Sequence, residues 1–177
     1  MQARPFEVTE RMLAEAQNPD AETSEFIAEP FNPRIRGVAI ALSDAERAKW
    51  AAYFNRLPVM QHLGAYIDLE NPALVRTVVP KFEPYHLGGM GGASMNGGVI
   101  AAMFDCALGV AGALQFPAQP AGTVDLSIEI VRPICSPRVV VYSRTTKKTR
   151  HVAFVEAIAF DGDNRYCASA NGIVATA

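Results

Sequence analysis

The chain has 177 residues, enough for one domain with an extension at about 150 residues per domain. Half of the residues are apolar and 19% are charged, which excludes a wholly disordered chain. The net charge of −2 comes with no basic block, so no nucleic acid is expected as a partner; neutralising phosphates takes clustered Lys and Arg. Cys106, Cys135 and Cys167 are widely spaced and form no CxxC, so neither a disulfide framework nor a zinc site is expected. They read as free thiols of a reducing compartment. No apolar run follows the Arg in Met1-Gln2-Ala3-Arg4-Pro5-Phe6-Glu7, so no signal peptide is expected and the reading is cytoplasmic.

Residues 1–57 read as a helical extension or arm. Positions 1–35 are polar and punctuated by Pro5, Pro19, Pro30 and Pro33. Val8, Met12, Leu13 and Ala16 share a helical face and predict a short helix over 8–17, followed by an irregular connector. Ser43-Asp44-Ala45-Glu46 is a capping box: the hydroxyl and the carboxylate each satisfy an N–H left free at a helix start. The helix it opens carries Trp50, Phe54 and Leu57 and is expected to stop at Pro58.

The domain itself is expected over 58–177. From residue 63 the period becomes that of strands, with 63–69 and 74–79 flanking the turn Glu70-Asn71-Pro72 as a hairpin. Over 123–131, Val124, Leu126, Ile128 and Ile130 alternate with Thr123, Asp125, Ser127 and Glu129. The first set predicts a core face, the second a wet or partner-facing one. Strands follow over 138–147, 152–160 and 166–174, the last two joined by the turn Asp161-Gly162-Asp163-Asn164.

Between the two strand sets, residues 84–124 hold a single formally charged side chain, Asp105. The stretch begins with a flexible glycine loop, Leu87-Gly88-Gly89-Met90-Gly91-Gly92, and continues in a helix over 96–115 that is apolar on all sides. Such a helix spans a membrane or is enclosed by protein. A mid-helix Asp would cost about 2.5–3.5 kcal/mol in a bilayer and no Lys or Arg anchors the flanks, so enclosure by a sheet is expected and a membrane is not.

Asp105 admits two readings. It is either hydrogen-bonded and structural, or a carboxylate placed to act as a base or nucleophile. Gly97 and Gly98 at the helix start either allow tight packing or present N–H groups to a carbonyl oxygen. Asp105 lies eight residues beyond Gly97, about 12 Å along a helix, so one helix cannot bring both to one carbonyl. If they act together they come from two subunits, which predicts a homodimer with two equivalent sites.

A long helix opened by small residues, preceded by a hairpin and followed by four strands, resembles the hotdog fold. More closely, the chain resembles the PaaI-type acyl-CoA thioesterases. The residues that carry the likeness are Asn96-Gly97-Gly98 with Asp105 nine positions after Asn96, Thr123-Val124-Asp125, Val131-Arg132-Pro133, and Pro58 with Leu63-Gly64. It covers about 58–174. The resemblance implies an α+β fold, one long central helix wrapped by a curved antiparallel sheet of about six strands. It implies thioester hydrolysis with Asp105 as base or nucleophile, the Gly97 or Gly98 N–H of the opposite subunit polarising the carbonyl, and Thr123 placing water. Two positions depart from the pattern: Asn96 stands where the family has His, and Met90 where many relatives have Asn. Asn96 keeps the ability to cap the helix or donate a hydrogen bond.

Further substrate-binding candidates are Met90 and His86, beside the glycine loop, and Lys147, Lys148 and Arg150. His86 reads as a loop cap or surface residue, or as a side chain that approaches the pocket. His62 and His151 read as strand-edge, solvent-facing residues. The basic run reads as a solvated turn or as a dock for the phosphates of coenzyme A. Three scattered histidines offer no metal site, and no cofactor is expected. Two alternatives to hydrolysis stand: a non-catalytic acyl-CoA or acyl-carrier binding protein, and a hydratase or dehydratase for which His86 is the sole candidate. Half-polar strand faces favour further assembly, a dimer or a dimer of dimers.

Overall fold

The structure, a computed structural model, describes residues 30–31 and 36–177; the helix expected over 8–17 lies outside them. Helix α1 (Asp44–Phe54) opens on the capping box, with the Ser43 N–H donating to Glu46 Oε2 at 2.9 Å and the Glu46 N–H to Ser43 Oγ at 3.4 Å. It ends four residues before Pro58. Pro58 opens a second helix, α2 (Pro58–His62), because a residue without an N–H fits a first turn that has no acceptor for one. Gly64, at φ +56°, reverses the chain after α2: its N–H donates to Gln61 O, and the Ala65 N–H donates to Met60 O. The strand expected from residue 63 is therefore shorter, β1 (Tyr66–Asp68).

Two polar side chains tie α1 to this corner. Arg47 is buried and donates to the carbonyls of Leu69 (2.8 Å), Leu42 (2.8 Å) and Glu70 (3.2 Å), and to Asp44 Oδ1 (2.8 Å). Asn55 pairs with Ile67 as a strand would: its Nδ2 donates to Ile67 O at 2.9 Å, and its Oδ1 accepts the Ile67 N–H at 2.6 Å.

With β2 (Val75–Val79), β5 (Ala121–Ile130), β6 (Val139–Lys148), β7 (Val152–Asp161) and β8 (Tyr166–Thr176), β1 forms a six-stranded antiparallel sheet in the order β1-β2-β6-β7-β8-β5. Helix α3 (Gly97–Ala113) packs on its inner face, burying Ile100, Met103, Phe104, Ala107, Leu108 and Ala111 in one core with Val75, Val141, Val155 and Val174. Buried hydroxyls on β6 pin the helix: Ser143 Oγ donates to Ala107 O at 2.8 Å and Thr145 Oγ1 to Ala111 O at 3.0 Å. The approach is closest at Gly112, where a Cβ would stand 2.4 Å from the Cβ of Val174.

Three expectations need correction. The glycine loop is not simply a loop: β3 (Leu87–Gly89) pairs antiparallel with β4 (Ser94–Met95) around the turn Met90–Gly92. Thr123 does not share a face with Asp125. A bulge at Val124 shifts the register, so Thr123 opposes the buried Val174 while Val124, expected in the core, is two-thirds exposed. Finally, α3 is covered on one side only by its own described chain. Gly98 and Asp105 are exposed, and Ala101 and Ala102 between them are half-buried, a stripe at helical spacing.

Candidate active site

The start of α3 is built around Asn96. Its Oδ1 accepts the Gly98 N–H at 2.8 Å, as an N-cap does. That commits the Gly98 N–H, so of the glycine pair only Gly97 keeps an N–H outside the cap. A Cβ built on Gly97 would meet nothing within 4 Å, so this backbone is open to approach. The dipole of a 17-residue helix adds partial positive charge there. Beside Gly97 lies a cleft of about 250 Å³ whose walls include Met95, Ile100, Ile130, Val131 and Arg132. The cleft forms where the end of β5 meets the start of α3, a junction with no signal in the sequence; Arg132 reads there as a turn residue and a weaker candidate for docking phosphates. Larger hollows, of about 580 and 510 Å³, lie along β1, with Arg47 and Arg76 in their walls bonded to Asp44 and Asp68.

Asp105 projects from the middle of α3, exposed. One turn further, Gly109 faces Thr123: a Cβ on Gly109 would stand 3.3 Å from Thr123 Oγ1. The bulge at Val124 thus turns the Thr123 hydroxyl toward the helix face that carries Asp105. The expected residues fall into two groups on α3: Asn96, Gly97 and Gly98 with the cleft, and Asp105 with Thr123. Eight residues, about 12 Å along the axis, separate them.

Cys106, next to Asp105, is no competing nucleophile at neutral pH. Burial, and after it the Asp105 charge, pushes its thiol up to about 11.

The remaining candidates sit elsewhere. His86 is wholly buried: Nδ1 accepts the Glu83 N–H at 2.8 Å and Nε2 donates to Leu63 O at 3.1 Å. It caps the loop, as one reading of the sequence has it, and burial holds it neutral below the usual imidazole range. Met90 opens the turn between β3 and β4. Lys148 lies at the far end of α3, where its Nζ donates to Gln115 O and stands 4.9 Å from the centre of the Phe116 ring. Lys147, near the end of β6 and paired with Phe154, and Arg150, in the β6–β7 turn, are exposed, so the basic run is only in part a turn. His62 ends α2 and stacks on Tyr85, and His151 lies in the β6–β7 turn with Nδ1 3.1 Å from Thr176 Oγ1. Among the described residues no cluster of His, Cys, Asp and Glu could hold a metal ion, and no helix is long and apolar enough to cross a membrane.

The segment that builds both groups, residues 92–168, matches the family model of the Thioesterase superfamily. A provisionally assigned esterase of Sulfurisphaera tokodaii is 28% identical over 116 residues, 59% of this chain and 86% of that protein. The crystal structure of a thioesterase family protein from Silicibacter pomeroyi superposes with a TM-score of 0.63 at 23% identity, over 75% of this chain and 96% of that one. The E. coli PaaI protein from the phenylacetic acid degradation operon gives 0.58 at 16% identity, over 74% and 96%. The fold is the hotdog fold: a central helix on an antiparallel sheet of six strands, with helices before it.

Proposed function

We propose that this chain, which carries the Thioesterase superfamily segment on a hotdog fold, hydrolyses acyl thioesters of coenzyme A. The reading rests on one observation: the single acidic side chain of residues 84–124, Asp105, is exposed on α3 one turn from the Thr123 hydroxyl. In the reaction the Asp105 carboxylate takes a proton from a water held by Thr123. The water oxygen attacks the thioester carbonyl. The Gly97 N–H, helped by the helix dipole, stabilises the oxyanion. Collapse breaks the C–S bond, the thiolate takes the proton from Asp105, and a carboxylic acid and a free thiol leave.

Asp105 and Gly97 of one chain stand about 12 Å apart on the helix axis. The working site therefore takes Asp105 and Thr123 from one subunit and Asn96 and Gly97 from a partner across the exposed face of α3, in a homodimer. Asn96 acts by capping Gly98, which keeps Gly97 at the front of the helix. Lys147 at the end of β6 and Arg150 in the β6–β7 turn, both exposed, would meet the nucleotide phosphates, with Lys148 held at the helix end.

The test is release of free thiol from short, medium, long and aryl acyl-CoAs, wild type beside Asp105→Asn. Loss of a general base is expected to lower kcat by about 10²–10⁴. Full activity in Asp105→Asn overturns the mechanism. No release from any acyl-CoA by folded protein overturns hydrolysis, and saturable binding by calorimetry would then identify a binding protein.

A further inference from the structure

His86 joins two helix ends, the C-terminal end of α2 and the start of α3. Its Nε2 donates to Leu63 O, the carbonyl at the end of α2 that the turn through Gly64 leaves without a helical partner. Its Nδ1 accepts the Glu83 N–H, and its own N–H donates to Glu83 O at 2.9 Å. Its own carbonyl accepts the N–H of Asn96 at 2.8 Å, and Asn96 is the residue that caps α3. The ring is fixed by its neighbours: Tyr85 lies edge-on at 4.4 Å between centroids and Phe82 at 6.1 Å. Gly64, at φ +56°, makes the turn that brings Leu63 O to the ring.

We propose that His86 is a positioning residue for the start of α3: by tying the end of α2 and the 83–86 turn to the Asn96 cap, it fixes where the Gly97 N–H points. This rests on the proposed role of Gly97 in thioester hydrolysis. The ring must be the neutral tautomer with its proton on Nε2, because a second proton on Nδ1 would face the Glu83 N–H donor. Glu83 and His62 are the charged or titratable groups whose fields it feels, the first favouring protonation and the second opposing it; the start of α3 presents only Asn96 and the glycines.

The experiment compares wild type, His86→Phe and His86→Gln in the full chain, by acyl-CoA kinetics and by amide hydrogen exchange at Asn96, Gly98 and Ile100. The phenyl ring keeps the volume and removes both side-chain bonds; the Gln amide can still donate to Leu63 O. Displacement of an oxyanion donor by about 1 Å lowers kcat by up to about 10². The expected result is a kcat lower by about 10- to 100-fold in His86→Phe with KM changed less than twofold, faster exchange at those three amides, and partial recovery in His86→Gln. A lowered Tm with kcat and the three exchange rates unchanged overturns the proposal. If wild type releases no thiol, the hydrolysis reading falls and the exchange rates alone decide the positioning role. Should His86→Phe fail to fold, wild type itself serves. Exchange at the three amides, corrected for its intrinsic pH dependence, is expected to rise as acid protonates His86, below the usual imidazole range because burial lowers it, and no rise down to the onset of acid unfolding overturns the link.

Discussion

Replacing Gly112 by Ala sets two effects of known size against each other. In an exposed helix the change stabilises by about 1 kcal/mol, because Ala loses less backbone freedom than Gly. Here the new methyl would stand 2.4 Å from Cβ, 2.5 Å from Cγ2 and 2.9 Å from Cγ1 of Val174. Rotating Val174 cannot relieve the shortest of these, because its Cβ is bonded directly to the β8 backbone. The helix must rise from the sheet by about 1 Å, at an overpacking cost of about 1–3 kcal/mol. The rise also stretches the 3.0 Å bond from Thr145 to Ala111 O, worth about 1 kcal/mol. The net expectation is a loss of about 2 kcal/mol, and at this chain length a Tm lower by about 4–8 °C. Thermal and urea unfolding should be run at one fixed protein concentration, since self-association would couple Tm to it. Gly97→Ala is the control, because nothing lies within 4 Å of the added methyl; its Tm should stay within about 2 °C while the proposed oxyanion site is obstructed. A Tm raised by Gly112→Ala, or equal losses in the two variants, would refute the steric argument.

Arg47→Lys should cost about 2–3 kcal/mol in urea unfolding, because an ammonium cannot span the carbonyls of Leu42, Leu69 and Glu70 that the guanidinium joins; an unchanged midpoint would show that α1 is held by packing alone. Cys106 and Cys167, both pushed by burial from the usual 9.0 to about 11, should react with a disulfide reagent at neutral pH about 100-fold more slowly than free cysteine. Stability should also fall as pH rises from 9 toward 11, since unfolded thiols release protons that folded ones keep. Rapid labelling of the folded protein at pH 7 would contradict the burial.

What could be read from the sequence was local. The Ser43–Glu46 box is a contact between near neighbours, and the structure forms it. The stretch of uncharged residues around Asp105 became the central helix, with Asn96 at its cap. Long-range pairing was less legible. The bulge at Val124 exists because β5 takes its register from β8, so alternation placed Val124 inward and Thr123 outward when the reverse holds. The glycines of 88–92 read as flexibility, and Gly88, Gly91 and Gly92 do adopt positive φ, but within the paired strands β3 and β4 and the turn between them. His86 carries no periodic signal; its burial follows from the turn at Gly64 bringing a free carbonyl to its Nε2.

The Asn55 amide that mimics a strand against Ile67 has a consequence for how copies of this chain can associate. It occupies backbone groups on the outer side of β1, while among the described residues nothing pairs with the outer side of β5, where Val124 and Ile130 are exposed. A sheet guarded at one end and open at the other can be extended in one direction only. When two such open ends meet antiparallel about a two-fold axis, each uses up the other and no third copy has a place to add. The same side chain that anchors α1 thus leaves the sheet one open edge, so that a copy adding through the sheet would add at β5.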